Sequence, residues 1–253
     1  MQTAQLVKEA SPIIGLVGGT YFFTDSTVAR GKELGLDGMR FYYIGRGGVL
    51  GDTEWPVVVS AFGFFAPRMV EKFWDSARQT IEPRTAGHAY VECARDFGRE
   101  NFTEVEGLAE YCAAAEKIVA AVDPAGLTLF AAHSAEPLAE DLPGRAAQLT
   151  TLLREHRGSA HLVALIAVGL EPRIADALAS EVSWKFHGWT LDDGPAPTEG
   201  DRGLKLEAEA ITDRIVQRAF GVLDDQEQQA LLTGLQGMSH AMPGAWSLKD
   251  APN

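Results

Sequence analysis

From Leu149 to Leu170 the chain reads LTTLLREHRGSAHLVALIAVGL, and eight consecutive positions of this otherwise apolar stretch, 154–161, hold two arginines and two histidines. Wound as a helix at about 100° per residue, it puts Leu149, Leu152, Leu153, His156, Ala160 and Val163 on one stripe. Arg154, Arg157 and His161 then fall on a line about 120° away. His156 points into a core or a pocket, where an apolar wall favours neutral imidazole, the state a general base needs. His161 shares its face with two permanent cations, whose forks suit a carboxylate or an enolate. The pattern predicts a buried polar site for a small ligand that is anionic or carries a carbonyl. His156 and His161 are the candidate catalytic residues, with Arg154 and Arg157 stabilising negative charge as it develops. Two plainer readings stand beside this one. His156 is also the kind of core histidine that bonds a backbone carbonyl, and Arg154, Arg157 and His161 could form a solvated face with Glu155.

Other residues are candidates to complete the site. Arg46 sits in the glycine run Gly45–Gly51 and reads as a ligand clamp or as a charge capping a helix C-terminus. Tyr21, Tyr42 and Tyr43 read as core or as pocket phenols able to donate a hydrogen bond, and Tyr21 and Tyr43 are assigned to the ligand site. His133 joins them from Leu127–Pro143, read as a loop leading into the polar helix. Metal binding by His156 and His161 is not expected. A spacing of five turns two helical side chains about 140° apart, unlike the i,i+4 pair of HExxH, and His133, Glu136 or His88 would have to complete the set. The glycine run misses GxGxxG because Leu50 takes the last glycine position, and no GxSxG is present. No cofactor is expected.

Composition bounds the partners. With 46% hydrophobic and 23% charged residues, the 253-residue chain is of the soluble globular type, long enough for one large domain or two small ones, two being slightly favoured. Thirty-five acidic against 22 basic residues give a formal charge of −13, which repels phosphate backbones and anionic membranes. Cys93 and Cys112 form neither a CxxC pair nor a disulfide framework, so a reduced cytoplasm is expected. The start of the chain lacks a basic leader, and its apolar run Ile13–Gly19 is too short and glycine-rich to span a membrane.

The elements that must position these residues are mostly helical. Residues 1–30 read as a helix capped near Ser11-Pro12, loosened by Gly15, Gly18 and Gly19, and continued by Tyr21-Phe22-Phe23. Met39–Ile44 runs into the glycine stretch as a helix followed by a turn or a strand followed by a phosphate loop, the helix being preferred. Val57–Phe65 is β-branched and aromatic enough for a strand, before a helical period through Met69, Val70, Phe73 and Trp74. Ala86–Val122 predicts two helices. After Gly169, Glu171-Pro172 starts a helix, Trp184–Trp189 reads as a strand-like piece and Asp192–Pro197 as a turn. Thr198–Phe220 forms an amphipathic helix, and Leu223–Glu227 caps another that runs to about Met238.

The C-terminal arrangement of a Thr198-Glu199-Gly200 turn, a long helix, an acidic cap and a Leu-rich helix resembles the end of MarR-type winged-helix regulators. From about Tyr21 to Met238 the chain resembles an uncharacterised family of helical proteins common in high-GC bacteria and catalogued as helix-turn-helix proteins. The resemblance rests on Gly45-Arg46 followed by Leu50-Gly51, and on Arg154–Gly158 with the second histidine His161. It implies a mainly α fold, with a helical N-terminal lobe over 1–145, a winged-helix lobe over 146–240 and a mobile tail over 241–253. The departure lies between Glu171 and Pro197, where 27 residues with three prolines hardly fit a recognition helix and a wing. Glu171–Gln229 also holds 13 acidic and 6 basic residues, net −7. The DNA-reading part is therefore read as degenerate, DNA as an improbable partner, and the C-terminal helices as the support of a homodimer. The expectation is a small-molecule enzyme of secondary metabolism, a lyase, isomerase or cyclase with cofactor-independent acid–base chemistry between the lobes. The alternative is a ligand-responsive MarR-like transcriptional regulator.

Overall fold

Caps and glycines set the helix boundaries. Asp141 accepts a hydrogen bond from Gly144 N (2.8 Å), with Pro143 in the first turn of the longest helix. That helix ends on Gly169 at φ 73°, where Leu170 N closes back on Leu165 O (3.0 Å) in a Schellman arrangement. A computed structural model describes residues 1–242. It contains α1 (Thr3–Val17), α2 (Asp25–Glu33), α3 (Gly38–Gly48), α4 (Trp55–Phe62), α5 (Pro67–Arg78), α6 (Pro83–Asn101) and α7 (Leu108–Ala121). There follow α8 (Thr128–Ser134), α9 (Leu142–Val168), α10 (Pro172–Ala177), α11 (Glu181–Phe186), α12 (Glu199–Phe220) and α13 (Asp225–Ala241). Short 3-10 turns lie at Thr20–Phe23 and Leu191–Asp193. The fold is mainly α, and no strand occurs among the described residues.

Four local expectations are corrected. The first helix begins at Thr3 and carries Pro12 in its interior, because Leu6, Val7, Ala10, Ile14 and Val17 form one buried stripe that outweighs a lost backbone bond. Val57–Phe65 is helical as far as Phe62: Pro56 occupies the first turn of α4, and Gly63 at φ 69° stops it. The segment before α9 is not all loop, since Leu129, Phe130 and His133 bury one face of α8. Trp184–Trp189 is no strand, because Ser180 caps α11 by accepting from Ser183 N (3.0 Å). The two C-terminal helices start as read, on reciprocal caps between Thr198 and Asp201 and between Asp224 and Glu227.

The long helix α9 is packed on nearly all sides, against α6, α12, α7, α8 and α1. Accordingly Thr150, Leu153, Glu155, His156, Ala160 and His161 are all buried. The first helix meets α13, α12 and α9, so one core runs from Leu6 through Leu149 to Leu235 and Met238. The lobe boundary expected after residue 145 falls inside α9, and this core crosses it. A smaller cluster of Ala164, Leu165, Leu170, Ile174, Ala175 and Ala208 fixes α10 to α9 and α12. Where a winged-helix lobe would place its reading helix and wing, the chain has two six-residue helices, α10 and α11, and no paired strands. The tail expected over 241–253 lies outside the described residues beyond Met242.

Two glycines let α3 lie directly on α6. A Cβ on Gly48 would stand 2.0 Å from Pro83 O, and one on Gly87 would stand 2.8 Å from Gly48 C. That close crossing fixes the depth of the last turn of α3. Gly48→Ala is expected to lower stability by about 1–3 kcal/mol through overpacking. Gly203→Ala, in α12 where a Cβ meets nothing within 4 Å, is expected to raise it by about 0.5–1 kcal/mol. Urea midpoints of the two variants check both signs.

Candidate functional site

A cavity of about 490 Å³ opens between α1, the 3-10 turn after it, α3, α4, α9 and α11. Its apolar walls combine the rings of Phe22, Phe23, Tyr42, Phe62, Phe65 and Phe186 with aliphatic side chains of Ile14, Leu16, Leu129 and Leu162. Its charged and titratable groups are Arg46 on α3, Arg154, Glu155 and Arg157 on α9, and His187 beside α11, with hydroxyls from Ser11, Thr20, Ser159 and Ser183.

Arg46 occupies the last turn of α3 and reaches Glu155 as a two-pronged fork. Its Nε donates to Oε1 (3.1 Å) and its Nη2 to Oε2 (2.8 Å), while Nη1 donates to Tyr42 Oη one turn back (3.3 Å). The guanidinium lies 4.7 Å from the centre of the Phe62 ring, a cation–π contact. Arg154 adds a second cation, donating Nη1 to Glu155 Oε1 (2.9 Å) while its guanidinium stacks 4.7 Å over Phe22. Burial alone would raise the Glu155 carboxyl, but Arg46 and Arg154 overcome it and hold the group at about 2. Burial would likewise lower Arg46, and Glu155 more than reverses this. Two guanidiniums on one carboxylate leave the wall of the cavity positive.

His187 follows α11 directly, and its environment comes from α10. Asp176, 3% exposed, accepts from His187 Nδ1 (2.7 Å) through Oδ2 and from Ser183 Oγ through Oδ1. A carboxylate at Nδ1 fixes the proton there and makes Nε2 the basic nitrogen. Nε2 has no hydrogen-bond partner among the described residues. The ring is packed against Phe65 at 4.3 Å between centroids, and its backbone carbonyl accepts from Ala66 N (2.9 Å). A histidine oriented by a buried carboxylate, with its other nitrogen free, is the arrangement of a general base that becomes a general acid once protonated.

Of the residues expected to form the site, Arg46, Arg154 and Arg157 line the cavity. Arg157 is neutralised by Glu209 (2.8 Å) and Asp213 (3.8 Å) on α12. The other five lie away from the wall. His156 packs on Phe130 (5.3 Å), its Nδ1 buried without a partner, and burial lowers its pKa to about 4. His161 is wedged between α9 and α12, with Nδ1 on Thr212 Oγ1 (2.8 Å) and Nε2 3.7 Å from Glu209; burial lowers its pKa. His133 bonds the backbone carbonyl of Arg46 through Nε2 (3.1 Å) and so braces the last turn of α3. Tyr21 sits among the rings of Phe22 and Tyr90, and Tyr43 stacks on Phe73 with its hydroxyl unpaired. The expected proton movers His156 and His161 occupy interhelical positions, because both stripes of α9 that carry them are covered by neighbouring helices. Asp176, Ser183 and His187 were missed. Their signal was the i,i+4 pair Ser183 and His187, visible only once a helix begins at Ser180.

Among the described residues, no three His, Cys, Asp or Glu side chains are grouped to hold a metal ion, and no helix is long and apolar enough to cross a membrane. The profile of a helix-turn-helix family matches residues 5–186. No curated protein and no solved structure matches the chain.

The buried charges give this region an acid limb with a worked sign. Both Glu155 and His156 have folded pKa values below their ordinary ones, so the unfolded chain binds more protons and stability decreases as pH is lowered. His156 contributes fully above its ordinary 6.5 and loses that contribution as pH falls towards about 4. Glu155 does so between 4.5 and about 2. His156→Leu is expected to make the fall in stability between pH 6.5 and 4 shallower, His133 and His161, also lowered by burial, supplying the rest. Glu155→Gln, leaving two guanidiniums unbalanced, is expected to cost about 3–5 kcal/mol at neutral pH. Denaturant titrations across pH check both, and an unchanged upper slope in His156→Leu would contradict a neutral buried imidazole.

Proposed function

The chain belongs to the helix-turn-helix family, and within it we propose that this member is a small-molecule enzyme that moves a proton without a cofactor on a ligand held in the cavity. The observation that carries the reading is the opening of an Asp176-anchored His187 onto the same cavity as the cationic pair Arg46 and Arg154. In this reading His187 takes the role first given to His156 and His161. Nε2 removes a proton from carbon beside a carbonyl, the C–H electron pair flows into an enolate, and Arg154 stabilises the oxygen's charge. The imidazolium, steadied by Asp176, returns the proton at another atom, or a leaving group departs, or a ring closes. Isomerase, lyase and cyclase outcomes share these first steps. Arg46 and Tyr42 position Glu155 and through it Arg154.

Family membership favours a second reading, a ligand-responsive MarR-like regulator in which the cavity senses a metabolite and shifts a DNA-binding homodimer. Two features weigh against it. The α10–α11 pair spends Ser183, Phe186 and His187 on the cavity wall, and Glu171–Gln229 carries a net charge of −7. The homodimer is retained in both readings, with Leu206 on α12, 73% exposed, on the C-terminal helices that would meet.

Deuterium exchange separates these readings. In D₂O, with a panel of aryl ketones and aryl 2-oxo acids, the protein is expected to speed loss of the NMR signal of protons beside the carbonyl. His187→Gln should lower that rate by about 10²-fold or more, Asp176→Asn by less, and His156→Leu hardly at all. Exchange no faster than buffer across the panel, or unaltered in His187→Gln, overturns the enzyme. Retention on random duplex DNA at low salt that fades steeply as salt rises would install the regulator instead.

A further inference from the structure

We propose that the cavity takes a planar aromatic monocarboxylate, its rings among the phenyl walls and its carboxylate on the free donors of Arg154. The proposal rests on the cavity being the ligand site, as above, and not on any proton being moved there.

Charge comes first. Arg46 has Nε and Nη2 on Glu155 and Nη1 on Tyr42. Arg157 faces two carboxylates. Arg154 makes a single hydrogen bond, Nη1 to Glu155, whose charge Arg46 already matches. A guanidinium has five N–H donors, so most of this fork is available. It is also held in place, stacked 4.7 Å over Phe22, and its side chain, 30% exposed, is part of the cavity lining. In a chain of formal charge −13, one unmatched cation fixed in the wall of an open cavity marks where a single negative charge belongs. A dianion fits less well, because Glu155 lies against the same guanidinium.

Shape and wall chemistry choose the rest of the molecule. The rings meet one another at steep angles: 45° for Tyr42 with Phe65, 67° for Tyr42 with Phe186, and 64° for Phe65 with Phe186. Faces and edges are both presented, so an inserted ring finds offset-stacked and edge-on partners, each worth about 0.5–1.5 kcal/mol beyond burial. An alkyl chain gains burial only. Methionine, which adapts to flexible chains, is absent from the lining. A volume of about 490 Å³ lies in the usual range of about 300–1,000 Å³ for small-molecule sites.

The test is titration calorimetry with 1-naphthoate, 1-naphthamide and octanoate on the whole protein, with melting curves for each variant. Naphthoate is expected to bind at least about 10-fold more tightly than either comparator. Arg154→Met should abolish its advantage over the amide, Arg154→Lys should reduce it, and Arg214→Met, on the exposed face of α12, should leave it intact. Calorimetry reads binding alone, so absence of proton chemistry in the exchange assay does not count against this inference. Equal binding of acid and amide overturns the Arg154 anchor, and octanoate matching naphthoate overturns the aromatic requirement. No binding by any of the three overturns both this inference and the cavity as the ligand site. An Arg154→Met protein that melts like the parent yet keeps the acid preference also refutes it.

Discussion

The pairing of Arg46 with Glu155 joins helices 109 residues apart in sequence, and the surroundings of the cavity are arranged to keep that pair satisfied away from water. Removing a guanidinium and a carboxylate from water is expensive unless geometry and extra hydrogen bonds compensate. Here the fork is two-pronged, Tyr42 takes the third donor, Phe62 covers the face, and His133 holds the backbone carbonyl of the same arginine. The crossing of α3 on α6 through Gly48 and Gly87 sets the distance from which Arg46 reaches. Glu155 thereby becomes a fixed anion on which Arg154 is aligned. The interaction contributes position more than net stability, since an apolar pair of the same volume could pack as well.

The α10–α11 pair is held differently. Among the larger interhelical contacts, α11 packs only on α10, so its place depends on side-chain ties. Trp189 Nε1 donates to Phe64 O (2.7 Å), Arg68 pairs with Asp193 (2.6 Å) and also bonds Gly188 O, and Asp176 holds His187 (2.7 Å). Phe186 inserts among Phe23, Tyr42 and Phe65. The Ser183, Phe186 and His187 side chains line the cavity.

Much of this was legible before any coordinates. Periodicity and caps located α9, α12 and α13, and the REHRG segment singled out the helix that supplies Arg154 and Glu155. Arg46 was picked from a glycine run whose true purpose is helix crossing. What could not be read was which edge of α9 stays open, because a helix covered from nearly every side has no polar face to betray its neighbours. Hence His156 and His161, the residues most suggestive of chemistry, lie between helices and away from the cavity wall. Short apolar runs failed for another reason: Val57–Phe62 and Trp184–Phe186 contain β-branched and aromatic residues that suit either geometry, and a proline or a serine just upstream decided the matter. His187 was hidden by that second ambiguity, since Ser183 shares its face only in a helix.

The contact of α1 with α13 has a bearing on how the chain is made. More than two hundred residues separate them, yet Leu6, Val7 and Ala10 on one and Leu231, Leu235 and Met238 on the other belong to a single core. During synthesis the first amphipathic helix must wait, greasy face uncovered, until its partner emerges, which is when nascent chains most need chaperones. The cavity, whose rim includes Ser11 and Ile14 of that helix, is then among the last features to be completed.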